Sequence, residues 1–309
     1  MFDNGIINID KPADWTSQDV TAKLRRRLHI RRVGHTGTLD PMATGVLPVC
    51  FGKATRIIEY FDADLKTYRA EMQLGLRTDT LDITGTVTES HPVDVTESEI
   101  EDAFRVFDGW ITQIPPKYSA LKVNGRPLYK YAREGRDVEI RPRRTYIESL
   151  TLNRIDMASG RIEFTVCCSK GTYIRTICDD VGSVLGCGAA MSALTRVQSG
   201  FFSLGDALPL AAALEMSNEE LATRIVPMDR PLTHLGVVRL KSNQSVPIYR
   251  NGRPIDREYL LVEQEPDVPG ALLEKCALSD KYRVYDADGH FLGVSRLEEN
   301  VFYPEKVII

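Results

Sequence analysis

Gly34-His35-Thr36-Gly37-Thr38-Leu39-Asp40-Pro41-Met42-Ala43-Thr44-Gly45-Val46-Leu47-Pro48 sets three glycines, three threonines, two prolines and one histidine around a single carboxylate. Glycine permits unusual backbone angles and close approach of a ligand, and each proline fixes one φ and removes a donor. The stretch reads as a shaped loop, neither helix nor strand. Asp40, its only acid, precedes a proline and is biased towards extended backbone. Taken alone, this composition also fits a long surface turn with an incidental aspartate. The flanking sequence separates the two readings.

Upstream, residues 5–10 have the apolar character of a short strand, and Lys11-Pro12 marks a turn. Thr16 with Asp19 resembles a helix start, and Val20, Leu24 and Leu28 recur on one helical face. The other side carries Lys23, Arg25, Arg26 and Arg27, with Arg31 and Arg32 just beyond, and no acid occurs between Val20 and Leu39. A charge run is usually a solvated face. Six cations without a counter-charge, leading into a glycine loop, are better explained by an anionic ligand.

Downstream, residues 46–51 read as a buried strand and 54–61 as a short helix. Tyr68, Ala70, Met72 and Leu74 alternate with Arg69, Glu71 and Gln73, the period of a half-buried strand. Thr96 and Glu99 form a capping-box pattern ahead of Ile100, Phe104 and Phe107. Residues 112–146 are proline-rich and basic, with nine Lys or Arg, among them Lys122, Arg126 and Arg143, against three acids, and with four tyrosines interleaved. Cations mixed with aromatics suit distorted or single-stranded nucleic acid, although an amphipathic surface loop shows the same pattern. Residues 144–168 read as two strands. Tyr173 and Arg175 share a face only if Gly171-Thr172-Tyr173-Ile174-Arg175 is extended, and it is predicted to be so, with a helix starting just after it and running to about Leu185. A glycine-rich piece at 182–190 leads to a further strand at 191–197. Two short helical patterns occupy 206–230, and 232–309 holds short alternating segments separated by turns, a small β-rich domain.

Length suggests about two domains. The composition, 43% hydrophobic and 27% charged with a net charge of −4, is that of an ordinary globular chain and argues against coating nucleic acid through overall charge. No signal peptide and no membrane-length apolar run is visible, so a cytoplasmic location without a membrane partner is expected. Six scattered cysteines without a CxxC pair indicate reduced thiols, and five histidines leave little material for a metal site. Neither a phosphate-binding GxxxxGK[ST], a GxSxG elbow nor a GxGxxG occurs. What remains is a cofactor-independent carboxylate, basic surfaces, and tyrosines near arginines.

Five motifs occur in order: Lys11-Pro12, the loop Gly34–Pro48, Arg77-Thr78-Asp79-Thr80-Leu81-Asp82, Pro115-Pro116-Lys117-Tyr118-Ser119-Ala120 and Gly171-Thr172-Tyr173-Ile174-Arg175. Together they resemble the tRNA pseudouridine synthase B family. The resemblance implies an α+β fold: a mixed, mainly antiparallel sheet flanked by helices over residues 1–230, and a small β-rich PUA-like RNA-binding domain over 231–309. It implies isomerisation of uridine 55 in the TΨC arm of tRNA, by breaking the N-glycosidic bond and rejoining the base through C5, with no cofactor, no metal and no protein partner. Asp40 then corresponds to the essential aspartate, as nucleophile or as base, and Arg175 to the arginine that pairs with it. Tyr68 corresponds to the tyrosine that stacks on the flipped base and Tyr173 to a second pocket aromatic. His35 would hold the flipped nucleotide, Lys11 would support the pocket or meet a phosphate, and Asp82 would order its loop or touch the target. Arg25, Arg26, Arg31, Arg32, Lys122, Arg126 and Arg143 would form the RNA-binding surface. One departure stands out: Asp14 occupies a position where the family usually has glycine, and aspartate tolerates left-handed backbone better than most residues. Two other readings are an RNA-binding or tRNA-folding protein and a guide-RNA-dependent relative of the same family.

Overall fold

The computed structural model describes residues 2–273 and 276–308. They form two compact units. The first holds the chain up to Asp40, Gly45–Asp64 and the chain from Ser199 onward, and the second holds Pro41–Thr44 with Leu65–Gln198.

In the first unit, strand Gly5–Lys11 is antiparallel to strand Thr44–Phe51, with Ile7 opposite Val49 and Ile9 opposite Leu47. Strand Val33–His35 pairs along the other side of Thr44–Phe51. The predicted first helix is present as Ser17–Leu28, with Thr16 and Asp19 in a reciprocal capping box. Val20, Leu24 and Leu28 are buried as their spacing requires. His29 ends the helix in the left-handed conformation at φ 55°. The helix predicted at 54–61 is a 3₁₀ helix, Gly52–Ala63. Helices Leu210–Glu215 and Asn218–Thr223 match the two short patterns expected there.

The β-rich character expected beyond residue 231 is realised as a six-stranded sheet. Its order is Ile255–Asp256, Val301–Val307, Phe291–Glu298, Lys281–Tyr285, Gly236–Leu240, Leu260–Gln264. Val238, Leu240, Tyr249, Tyr282, Val284 and Phe302 form its core. A Cβ at Gly293 (φ 152°) would meet the Lys306 carbonyl at 1.9 Å, so only glycine fits there. Within the same unit this sheet is tied to the 3₁₀ helix by Lys306–Glu59 (2.6 Å) and by Tyr60 donating to Glu305 (3.3 Å).

The second unit is built on strands Ala189–Ser199, Lys66–Leu74, Arg161–Cys168, Arg143–Asp156 and Gly109–Gln113, in that order. The alternation read at Tyr68–Leu74 is the observed one: Tyr68, Ala70, Met72 and Leu74 point into the core. Helix Glu97–Arg105 follows its Thr96–Glu99 capping box, and Phe104 packs on Phe164 with centroids 5.2 Å apart. The extended reading of 171–175 is corrected. Tyr173 is extended (φ −102°, ψ 108°), but helix Ile174–Val184 already includes Arg175. The helix ends at Val184 with Leu185 as its C-cap, where the sequence placed its end. Among the described residues no disulfide joins the cysteines, and no helix is long and apolar enough to cross a membrane.

Candidate active site

The loop that carries Asp40 is anchored by the turn and helix before it. Lys11 is wholly buried, and its ammonium donates to the carbonyls of Pro12 (2.8 Å) and Trp15 (2.6 Å). A buried ammonium bound to two carbonyls supports this turn. Asp14 takes φ 64° in this turn, so aspartate does adopt the left-handed backbone where glycine was expected. The helix that follows presents Ser17 inward. Its hydroxyl accepts from the Leu39 N–H (2.9 Å) and donates to the Leu39 carbonyl (3.1 Å). Asp40, the next residue, is half-buried. Thr36 N–H donates to the Pro48 carbonyl (3.1 Å), closing the loop across its base. His35 is half-buried, with Nε2 lying 3.3 Å from the Gln18 amide nitrogen.

In the second unit Arg175 is brought against Asp82, and Tyr173 is the N-cap of the Arg175 helix. Arg175 is 4% exposed, and its guanidinium donates to the carbonyls of Thr80 and Tyr118, each at 2.9 Å. Nη1 also lies 3.4 Å from Asp82 Oδ2. The other Asp82 oxygen accepts from Thr80 Oγ1 (2.9 Å), Thr84 N–H (3.0 Å) and Thr84 Oγ1 (2.5 Å). Asp82 thus gathers donors from its own loop. Leu81 holds φ 63°, a conformation uncommon for a bulky side chain, and its carbonyl accepts from Met191 N–H (3.1 Å). The neighbouring Ile83 N–H donates to the Met191 carbonyl (2.9 Å), so the loop is docked on strand Ala189–Ser199 through backbone bonds.

Tyr173 is half-buried and lacks a side-chain cap of its own. The Gln113 amide supplies one from sixty residues upstream. It accepts from Tyr173 N–H (3.0 Å) and donates to the Tyr173 carbonyl (3.2 Å), while itself 2% exposed. Tyr68, on the inward face of its strand, is 8% exposed. On the outer side of the Arg175 helix, Asp179 lies 3.2 Å from Arg77, and half-burial together with Asp179 pushes Asp180 up to about 6.

The cations assigned to an RNA surface divide. Among the described residues Arg25, Arg26, Arg31, Arg32, Lys122 and Arg143 are exposed and form no ion pair. Arg126 is different: it pairs with Glu134 and stacks over Tyr131 at 5.0 Å, so part of its charge is already answered. Arg27 is structural, bound to Asn218 (2.8 Å) and the Met216 carbonyl (2.5 Å). Arg144 stacks over Trp110 at 4.6 Å, and Tyr146 lies 5.5 Å from the same ring.

Ser17 and Gln113 were not legible as site residues. Each acts on the backbone of a distant segment, and neither has a charge, a period or a motif to announce it. The one available signal was composition: an uncharged polar residue beside a buried helical stripe, or ending a strand, needs a partner inside the fold.

Residues 25–174 match the TruB family pseudouridylate synthase (N terminal domain), and residues 175–233 match the tRNA pseudouridylate synthase B C-terminal domain. The chain belongs to the TruB family of pseudouridylate synthases. It is similar to a tRNA pseudouridine synthase B of Clostridium perfringens, 40% identical over 99% of both chains. A protein of the same name from Ralstonia nicotianae is 39% identical over 99% of this chain and 94% of its own. One from Alkaliphilus oremlandii is 43% identical over 84% of this chain and 85% of its own. Among solved structures, a chain of a Cbf5-Nop10-Gar1 complex superposes with a TM-score of 0.74 at 24% identity, covering 99% of this chain and 85% of that one. At that identity the likeness is one of fold.

Proposed function

We propose that this chain converts uridine to pseudouridine in tRNA, at position 55 of the TΨC arm. The N-glycosidic bond breaks, the uracil turns while bound, and C5 bonds to C1′ of the ribose; the C5 hydrogen leaves and N1 regains a proton. No oxidant, reductant or energy source enters that balance. The observation that carries the reading is the family match across residues 25–233, supported by relatives of that name along almost the whole chain.

Asp40 is the reacting carboxylate. Its loop is closed by backbone bonds, which suits a group that must meet a sugar or base at one defined place. Arg175, the arginine that the resemblance pairs with this carboxylate, is buried in its own unit, where Asp82 and the Thr80 and Tyr118 carbonyls fix its orientation. Tyr68 and Tyr173 are the aromatic surfaces for a base taken out of its stack, a contact worth about 1–3 kcal/mol per base. His35 steadies the flipped nucleotide. The unpaired cations Arg25, Arg26, Arg31, Arg32, Lys122 and Arg143 meet phosphates, with Arg126 contributing less.

The chain acts on naked tRNA in the cytoplasm, without a protein partner, metal or cofactor. Residues 231–309 form a PUA-like domain that adds affinity for tRNA, and base extrusion gives a misfolded arm a further chance to fold. The test is an unmodified tRNA transcript carrying tritium at uridine C5. Purified chain alone should release the label to water in step with pseudouridine formation. Release only after partner proteins or a guide RNA are added would favour the guide-dependent reading.

A further inference from the structure

The Ser17 hydroxyl is 2% exposed and holds both ends of one residue, accepting from the N–H of Leu39 and donating to its carbonyl. One hydroxyl has one donor and two acceptor positions, so both bonds form at once. Leu39 is itself 3% exposed, and removing the hydroxyl takes a partner from its N–H and from its carbonyl where water does not replace them. Leu39 is also the residue immediately before Asp40, whose own backbone is narrowed by Pro41. A clamp on one side and a proline on the other leave the Cα of Asp40 little freedom.

Ser17 is in turn fixed. It is the first residue of its helix, behind the Thr16–Asp19 capping box, and the turn before that box is gathered by the buried Lys11 ammonium. A continuous series of short contacts thus runs from Lys11 through the turn and the helix start to Ser17, Leu39 and the carboxylate. We propose that Ser17 is a positioning residue for the isomerisation, acting through Leu39 to set where the Asp40 carboxylate meets the nucleotide. This rests on the reading of Asp40 given under Proposed function. Ser17 is buried, so it touches no RNA, and its effect belongs in the chemical step. A displacement of about 1 Å at a reacting group costs on the order of a hundredfold in rate.

The full-length chain, Ser17→Ala and Ser17→Thr are compared by single-turnover tritium release at saturating enzyme, by tRNA affinity and by thermal melting. Ser17→Ala should slow release by about 10- to 100-fold while the Kd for tRNA stays within about threefold. Ser17→Thr, which keeps the hydroxyl, should recover most of the rate. If the alanine variant melts below the assay temperature, Ser17→Cys, whose slightly larger thiol weakens both bonds, should show the same split at smaller size. A Ser17→Ala rate within about twofold of wild type overturns the proposal. So does a loss of rate and affinity in step, or a folded threonine variant no better than alanine. A wild-type chain that releases no tritium overturns the underlying reading of function, and that arm is read independently of the variants.

Discussion

Arg175 lies against Asp82, with Nη1 3.4 Å from Oδ2 and the two side chains only 5% and 7% exposed. Through the Thr80 and Tyr118 carbonyls the same guanidinium also joins two loops that are 38 residues apart in the chain. Removing one partner of a buried ion pair costs about 3–5 kcal/mol when nothing else answers the remaining charge, and Arg175 keeps its two carbonyl bonds. Asp82→Ala is therefore expected to lower stability by roughly 3 kcal/mol, somewhat cushioned by the two carbonyl bonds. Asp82→Asn keeps an acceptor for the Thr84 N–H and should lose less. Urea unfolding of both variants measures the difference, and equal stability of alanine variant and wild type would remove Asp82 from the account.

His234 is buried, with Nδ1 3.9 Å from Asp64 Oδ1, and burial holds its pKa down from 6.5 to about 4. Arg283 adds to the depression, and a backbone bond at Tyr60 opposes it without reversing it. The folded chain thus keeps this imidazole neutral between pH 6.5 and about 4, while the unfolded chain takes up a proton. Stability is unaffected by His234 above pH 6.5 and falls as pH drops towards 4, by roughly 3 kcal/mol in all. His234→Gln should lose less stability between pH 7 and pH 4.5 than wild type does. Identical losses would show that this histidine is not protonated on unfolding.

Phosphate contacts should be visible in the salt dependence of tRNA binding. Each phosphate neutralised contributes about 0.7–0.9 to the slope of log affinity against log salt. Replacing Arg25, Arg26, Arg31 and Arg32 with alanine should flatten that slope and weaken binding at physiological salt by more than about tenfold, with turnover at saturating tRNA preserved. Arg27→Ala should behave differently, because its guanidinium is bound to Asn218 and Met216; it should lower stability and leave the slope unchanged. An unchanged slope in the fourfold variant would move the RNA surface elsewhere.

What the sequence makes legible here are features with a period or a reciprocal partner close by. Val20, Leu24 and Leu28, the alternation at Tyr68–Leu74, and the capping boxes at Thr16 and Thr96 are local patterns, and each is found as read. Asp14 belongs with them, since its tolerance of positive φ is a property of the residue itself. The start of the Arg175 helix was missed because its cap comes from Gln113, far away in sequence, and the local run Gly171-Thr172-Tyr173 reads as extended. Lys11 misleads in another way. A lysine suggests a surface, but two carbonyls and complete burial hold this one inside. Ser17 on Leu39 and Arg175 on Asp82 are meetings of segments brought together only by the fold, and no spacing rule anticipates them.

The central claim is that Asp40 is the reacting carboxylate, and Asp40→Asn tests it most directly because the amide keeps the shape and removes the charge. Wild type and variant are each bound to an unmodified tRNA transcript labelled at uridine C5 and followed to completion. Both should bind the tRNA with Kd values within about tenfold of each other, and only wild type should release the label and form pseudouridine. An Asp40→Asn chain that forms pseudouridine, or a wild-type chain that binds the tRNA and leaves the uridine unchanged, would contradict it.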